Sequence, residues 1–219
     1  MITYEDIRKN EDINTLIAKA DSFLDARGYT EHGFTHVSIV ADRAAEILSK
    51  LGKDERQVEL ARIAGYLHDI GNVVNRKGHA HSGGAIAFTL LDRMGMDISE
   101  ICEIVAAIGN HDEGDGAPVS DISAAIILAD KTDTRRSRVR SADFVKNDIY
   151  DRVEYSVVGS TFEVNNEEKT VHLSLDMDNE VGTVEDFLSI CHGRMKFCCR
   201  AAERLGLSFK FTVNGEKII

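Results

Sequence analysis

No uninterrupted apolar stretch in this chain is long enough to cross a bilayer, and the opening Met1-Ile2-Thr3-Tyr4-Glu5-Asp6 has neither the positive start nor the apolar run of a secretory signal. A cytoplasmic location is therefore expected. The four cysteines, Cys102, Cys191, Cys198 and Cys199, show no Cys-x-x-Cys metal spacing, and an adjacent pair makes a poor disulfide framework, so reduced and mostly buried thiols are expected. Also missing are a Gly-x-x-x-x-Gly-Lys phosphate loop, a Gly-x-Gly-x-x-Gly fingerprint and a Gly-x-Ser-x-Gly elbow. Any nucleotide would have to be held by side chains rather than by a glycine-rich backbone cradle. Basic residues are scarce: 26 Lys and Arg against 37 Asp and Glu leave a formal charge of −11, which argues against an extended nucleic-acid or anionic-membrane surface.

What is present suits a folded chain. With 43% hydrophobic residues, the 219 positions can bury a core as one large domain or as a medium domain with a small one. Up to about Tyr150 the pattern reads as helix after helix. Asp54-x-x-Gln57 and Asp97-x-x-Glu100 resemble capping boxes and place helix starts near Glu55 and Ile98. Val37, Val40, Ala41, Ala44, Ile47 and Leu48 have helical period with His36 at their N-terminal end, so His36 should point inward. Another helix follows Pro118 through Ile122, Ala125, Ile126 and Ala129.

After Asp151 the period changes to alternation in Val153–Val158 and Val171–Leu175, with Asn165–Lys169 as the turn of a hairpin. A helix from about Val184 to Leu205 carries Phe187, Leu188, Cys191, Met195, Cys198 and Ala202 on one stripe, and Asn214-Gly215 marks a closing hairpin. The expected fold is thus mainly α: an all-helical domain over residues 1–150 and a small α+β domain over 151–219.

The chemistry centres on His68-Asp69, an imidazole and a carboxylate side by side at the end of an apolar helix. Their expected partners are His36 and Asp130, the latter ending an apolar run where a lone carboxylate is costly without a cation. Imidazole and carboxylate together suit Zn, Fe, Mn, Ni or Co better than an all-oxygen calcium site, with Mg also admitted. Such an ion lowers the pKa of its bound water and stabilises the charge that develops when a phosphoester is cleaved. A single His-Asp pair is a weak signal; four such residues in order say more.

In that order, and in the contexts Gly33-Phe34-Thr35-His36-Val37, Leu67-His68-Asp69-Ile70-Gly71 and Leu128-Ala129-Asp130-Lys131, the chain resembles the HD superfamily of metal-dependent phosphohydrolases over roughly its first two thirds. The resemblance implies that His36, His68, Asp69 and Asp130 ligate a first metal, and that Asp69 is catalytic, bridging to a second ion and polarising the water between. His79-Ala80-His81-Ser82-Gly83-Gly84 resembles the His-x-x-x-Gly element of binuclear members, which favours His79 while leaving His81 open. Asn110-His111-Asp112-Glu113-Gly114-Asp115-Gly116 is similar in part to an element of the HD-GYP subgroup and adds His111 to the ligand set. Asn110, Asp112, Asn72 and Ala117-Pro118 depart from that subgroup and put its cyclic dinucleotide substrate in doubt. His32 is a candidate to orient a ligand, since Gly33 holds it outside the helix.

The one basic concentration, Lys131 to Arg140, follows Asp130 directly. Lys131, Arg135 and Arg138 are candidates to bind a substrate phosphate; the same arginines equally suit pairing with acidic groups on a neighbouring helix. These features lead us to expect a metal-dependent phosphatase or phosphodiesterase with one or two divalent ions, acting on a small phosphorylated substrate, nucleotides included, in a chain that could form a homodimer. The alternatives are a di-iron oxygenase of the same superfamily and a regulatory module that binds a nucleotide without turning it over.

Overall fold

The computed structural model describes residues 1–141 and 148–219, and its architecture is mainly α with a small sheet at the C-terminal side. Helices α1 (Tyr4–Arg8), α2 (Glu11–Asp25), α3 (Phe34–Lys50), α4 (Glu55–Leu67), α5 (His79–Arg93), α6 (Ile98–Gly109) and α7 (Asp121–Lys131) come first. Next come α8 (Ile149–Ser156), strands β1 (Val157–Asn165) and β2 (Thr170–Met177), α9 (Val184–Arg204), β3 (Ser208–Val213) and β4 (Glu216–Lys217). No helix among the described residues is long and apolar enough to cross a membrane.

Helix α7 is the axis of the helical part. Every residue from Ile122 to Ala129 is buried, so a helix that is apolar all round lies inside the bundle, as burial on every face requires. Helices α3, α4, α6 and α9 pack on it. Asp54 caps α4 by accepting from the Gln57 amide at 2.9 Å, as the spacing predicts. The Asp97 cap is only half the expected box: its carboxylate takes the Ser99 amide, while Glu100 turns to Arg56 across the α4–α6 interface at 2.6 Å.

Two glycines set the backbone separations that matter for the site. A Cβ on Gly65 would lie 2.7 Å from the Ala41 Cα, so its absence lets α4 cross α3 at close range. A Cβ on Gly71 would lie 2.0 Å from the His79 carbonyl oxygen. The short 3-10 turn Ile70–Val73 after His68-Asp69 is therefore pressed against the start of α5.

The sheet runs β1-β2-β3-β4, antiparallel at β1/β2 and β3/β4 and parallel at β2/β3, with α9 as the crossover. Val171, Leu173 and Leu175 from β2 and Phe209, Phe211 and Val213 from β3 face α9, where the Phe187 and Phe211 rings lie 5.4 Å apart. Such alternation buries one face of the sheet. The strand expected over Val153–Val158 does not form as read. Asp148 accepts from the Tyr150 and Asp151 amides and starts α8, which persists to Ser156, and β1 begins only at Val157. Cap and burial of Val153 decide here over the β-branched composition.

Candidate metal centre

Four imidazoles and two carboxylates meet where α3, α4, α5, α6 and α7 converge. His36 comes from the first turn of α3 and His68 from the C-terminus of α4, with Asp69 the next residue. His79 opens α5, His111 follows α6, and Asp130 is the penultimate residue of α7. All four histidines and Asp69 are buried. The Nε2 atoms of His36 and His68 are 3.2 Å apart, and those of His79 and His111 are 3.0 Å apart.

Each ring is held from behind. The Nδ1 atoms of His68, His79 and His111 lie 2.8, 2.9 and 2.6 Å from the carbonyl oxygens of Gly65, Arg76 and Ile108, in each case three residues earlier. A carbonyl can only accept, so Nδ1–H donates to it and Nε2 is left with a bare lone pair. His36 reaches the same state through a carboxylate, its Nδ1 donating to Asp133 Oδ2 at 2.7 Å. Lone pairs aimed at each other across 3.0 to 3.2 Å repel unless a proton or a cation sits between them.

Asp69 joins the two pairs. Its Oδ2 is 3.3 Å from His68 Nε2 and 3.6 Å from His36 Nε2, while its Oδ1 is 3.4 Å from His79 Nε2 and 3.9 Å from His111 Nε2. Asn72 fixes the carboxylate by donating to Oδ1 at 2.7 Å. Asp130 Oδ1 lies 3.3 Å from His36 Nε2, and its Oδ2 meets Lys131 Nζ at 2.8 Å. Two groupings could thus hold an ion: His36, His68 and Asp130, and His68, Asp69 and His111. The short His79 to His111 separation places His79 with the second.

Electrostatics favour the binding forms of Asp69, Asp130, His79 and His111 and oppose that of His68. Burial would raise the Asp69 carboxyl, but the His68 ring beside it prevails and holds it well below the usual carboxylate range. Asp130 is held low in the same way by Lys131 and His36 against its burial. Burial pushes the pKa of His111 and His79 down, which keeps them neutral. Burial also opposes protonation of His68, yet Asp69 and Asp130 outweigh it and its pKa is raised.

The other anticipated residues separate. His81 is exposed and faces Asp115, and Asn110 bonds back to the Ala106 carbonyl at the end of α6, so neither meets the cluster. His32 stacks edge-on to His36 at 5.5 Å between ring centres, but its Nδ1 goes to the Thr30 carbonyl. Lys131 belongs to the centre through Asp130 and Glu113, the latter at 2.7 Å. Arg135 and Arg138 are turned elsewhere: Arg135 pairs with Glu31 and with Asp133 Oδ1, and Arg138 donates to the Glu31 and Asp133 carbonyls.

The HD domain family profile matches residues 33–135, a span that contains His36, His68, Asp69, His79, His111 and Asp130. The chain belongs to the HD superfamily. An uncharacterized protein of Methanocaldococcus jannaschii is 27% identical over 205 residues, covering 82% of this chain and 77% of that protein. A crystal structure described as a predicted HD superfamily hydrolase, from an uncultured Thermotogales bacterium, is 31% identical; the match covers 57% of this chain and 67% of that one, with a TM-score of 0.46. Within the HD match lie two groups the sequence did not single out. Asp133, three residues after Asp130 and just beyond the end of α7, holds His36. Arg76, three before His79, has its Nη1 3.7 Å from Asp69 Oδ1. The i, i+3 spacing was the available signal for both.

Proposed function

We propose that this HD domain chain is a metal-dependent phosphohydrolase that cleaves a small phosphomonoester or phosphodiester at a two-ion centre. The observation that carries this reading is Asp69, whose two oxygens each face a different pair of buried, back-held imidazoles. His36, His68, Asp69 and Asp130 would hold one ion and Asp69, His79 and His111 the other. The donor set, nitrogen-rich with carboxylates, fits a divalent transition metal. When bound, such ions lower the pKa of a coordinated water toward neutrality and stabilise charge on a phosphoryl oxygen.

The chain's own residues supply the rest. Lys131 stays charged because Asp130 and Glu113 together outweigh its burial, and it fixes the Asp130 carboxylate through Oδ2. Arg76 presents its guanidinium at the rim beside Asp69 and His79, where it can meet a phosphoryl oxygen. Arg135 acts behind the site by fixing the Asp133 carboxylate, while Arg138 holds the Asp133 carbonyl and also lines the neighbouring cavity. The test is elemental analysis of protein purified without added metal, followed by a phosphate-release screen with the recovered ion. About two equivalents of one transition metal, and release that is lost in Asp69→Asn, are expected; a metal-free protein, or a metal-loaded one inert towards every phosphoester, would defeat the reading.

A further inference from the structure

A cavity of about 470 Å³ adjoins the centre, between the loop that precedes α3 and the inward faces of α8 and α9. Arg76 and Glu113 line it, and these are the residues that touch Asp69 and Lys131, so the cavity begins where the ligand cluster ends. Its walls hold polar groups with few or no hydrogen-bond partners among the described residues. Arg194, on α9, makes no hydrogen bond or ion pair with a described residue. Its positive charge is held firmly, since against burial Cys191, Glu154, Glu113 and Asp130 all favour it, and it lines the cavity together with Glu113 and Glu154. The buried Asp151 accepts no hydrogen bond from the described residues, and burial with Asp148 and Glu154 nearby raises its pKa. Thr134 Oγ1 is buried without a hydrogen-bond partner, and Glu154 Oε1, also without a hydrogen bond, has only the Arg138 guanidinium at 3.6 Å.

Buried polar groups are nearly always satisfied, and the neighbouring basic run obeys that rule: Arg135, Arg138 and Arg140 each spend several donors on protein oxygens. Arg194, half-buried at the cavity wall, spends none on a described residue. A ligand that satisfied this cavity would bring an anionic oxygen to the metal side and hydrogen-bond donors to the α8 side. An anionic tail would face Asp148, Asp151 and Glu154 there, and a bare alkyl tail would leave the Asp151 carboxylate unmet.

We infer that this cavity receives the organic part of the phosphoester, an alcohol portion bearing hydroxyl or amine donors, with Arg194 gripping an anionic oxygen and Asp151 and Glu154 accepting from those donors. The inference rests on the phosphohydrolase reading above and assigns substrate selection to α8 and α9, outside the HD match. It is tested on the metal-loaded full chain with glycerol phosphate, phosphoethanolamine and propyl phosphate. The first or second should exceed propyl phosphate in kcat/KM by roughly tenfold, the scale of one charge-assisted hydrogen bond, and which of them leads tells hydroxyl from amine. Asp151→Ala should collapse that ratio towards one. Arg194→Ala should raise KM about tenfold more than it lowers kcat, with Arg194→Lys recovering part of the loss. No wild-type preference for a donor-bearing ester, or a KM unmoved in Arg194→Ala, overturns the proposal. If the metal-loaded wild type releases phosphate from no ester, the reaction assignment fails separately, and calorimetry with glycerol phosphate then tests the pocket: weaker binding in both variants supports it, and absent wild-type binding or equal affinities overturn it.

Discussion

Asp133 carries a negative charge behind the centre, and that charge decides which nitrogen of His36 is free. Against its burial, the hydrogen bond from His36 and the nearby Arg138 and Arg135 keep the carboxyl ionised. In Asp133→Asn, Arg135 would still claim the amide oxygen where it now meets Oδ1, so the amide NH2 would face His36 Nδ1 and force the proton onto Nε2. A protonated Nε2 cannot ligate. The expected loss is about 10- to 100-fold in metal affinity, read by titrating the metal-free variant, with helix content unchanged. Affinity equal to wild type would remove Asp133 from this role. The buried imidazoles give a second prediction. Folded His79 and His111 have pKa values below the usual 6.5, so between the two values the unfolded chain binds protons that the folded one refuses. Stability from them is present above that window and is lost as pH falls through it; His68, raised, works in the opposite sense and offsets part. With EDTA present, the Tm should therefore fall between about pH 7 and pH 5. A Tm flat across that interval would mean that the imidazoles are not held neutral by burial.

At the scale of elements, the centre depends on how closely α3 and α4 approach. Gly65→Ala would place a methyl 2.7 Å from the Ala41 backbone, and since neither helix can yield locally, the crossing must open. An overpacking cost of about 1–3 kcal/mol is expected, with reduced metal retention because His36 and His68 ride on the two helices. Denaturant midpoint and metal content should fall together; a loss of stability with full metal occupancy would show that the His pair tolerates the shift. Most elements were legible in the sequence because local signals agreed: the Asp54 cap, the 3.6 period of α3 and of α9, and the Asn165–Lys169 and Asn214-Gly215 turns all stand where spacing put them. Helix α8 departs from the expectation because Val153, Tyr155 and Val157 alternate like a strand, while what wins is the Asp148 cap, a local signal, together with the burial of Val153, which is tertiary. The site divides the same way. Six ligand candidates were legible because residue type and order identify them, but the targets of Arg135 and Arg138 were not, since Glu31 lies far upstream in the chain and only the fold brings it near.

Across the whole molecule, the core does not stop at residue 150. Phe187, Cys191, Met195 and Cys198 of α9 are buried together with Ile122 to Ala129 of α7 in one apolar cluster, which continues through Leu173 and Phe211 of the sheet. Helix α9 thus packs against both α7, which ends in Asp130, and the strands β2 and β3. Apolar contact of this kind couples the unfolding of the parts it joins. Metal held near Asp130 stabilises only the folded state, by an amount that grows with the ratio of free ion to Kd and reaches about 2.7 kcal/mol at a hundredfold excess. If the core is one cooperative unit, that stabilisation must reach strands that touch no ligand. Chelation should then lower a single thermal transition, and hydrogen exchange at the amides of β2 should speed up alongside that of α7. Two transitions, with only the helical one moved by EDTA and the β2 amides indifferent, would make the boundary near residue 150 a thermodynamic division and restrict the metal's reach to the helices.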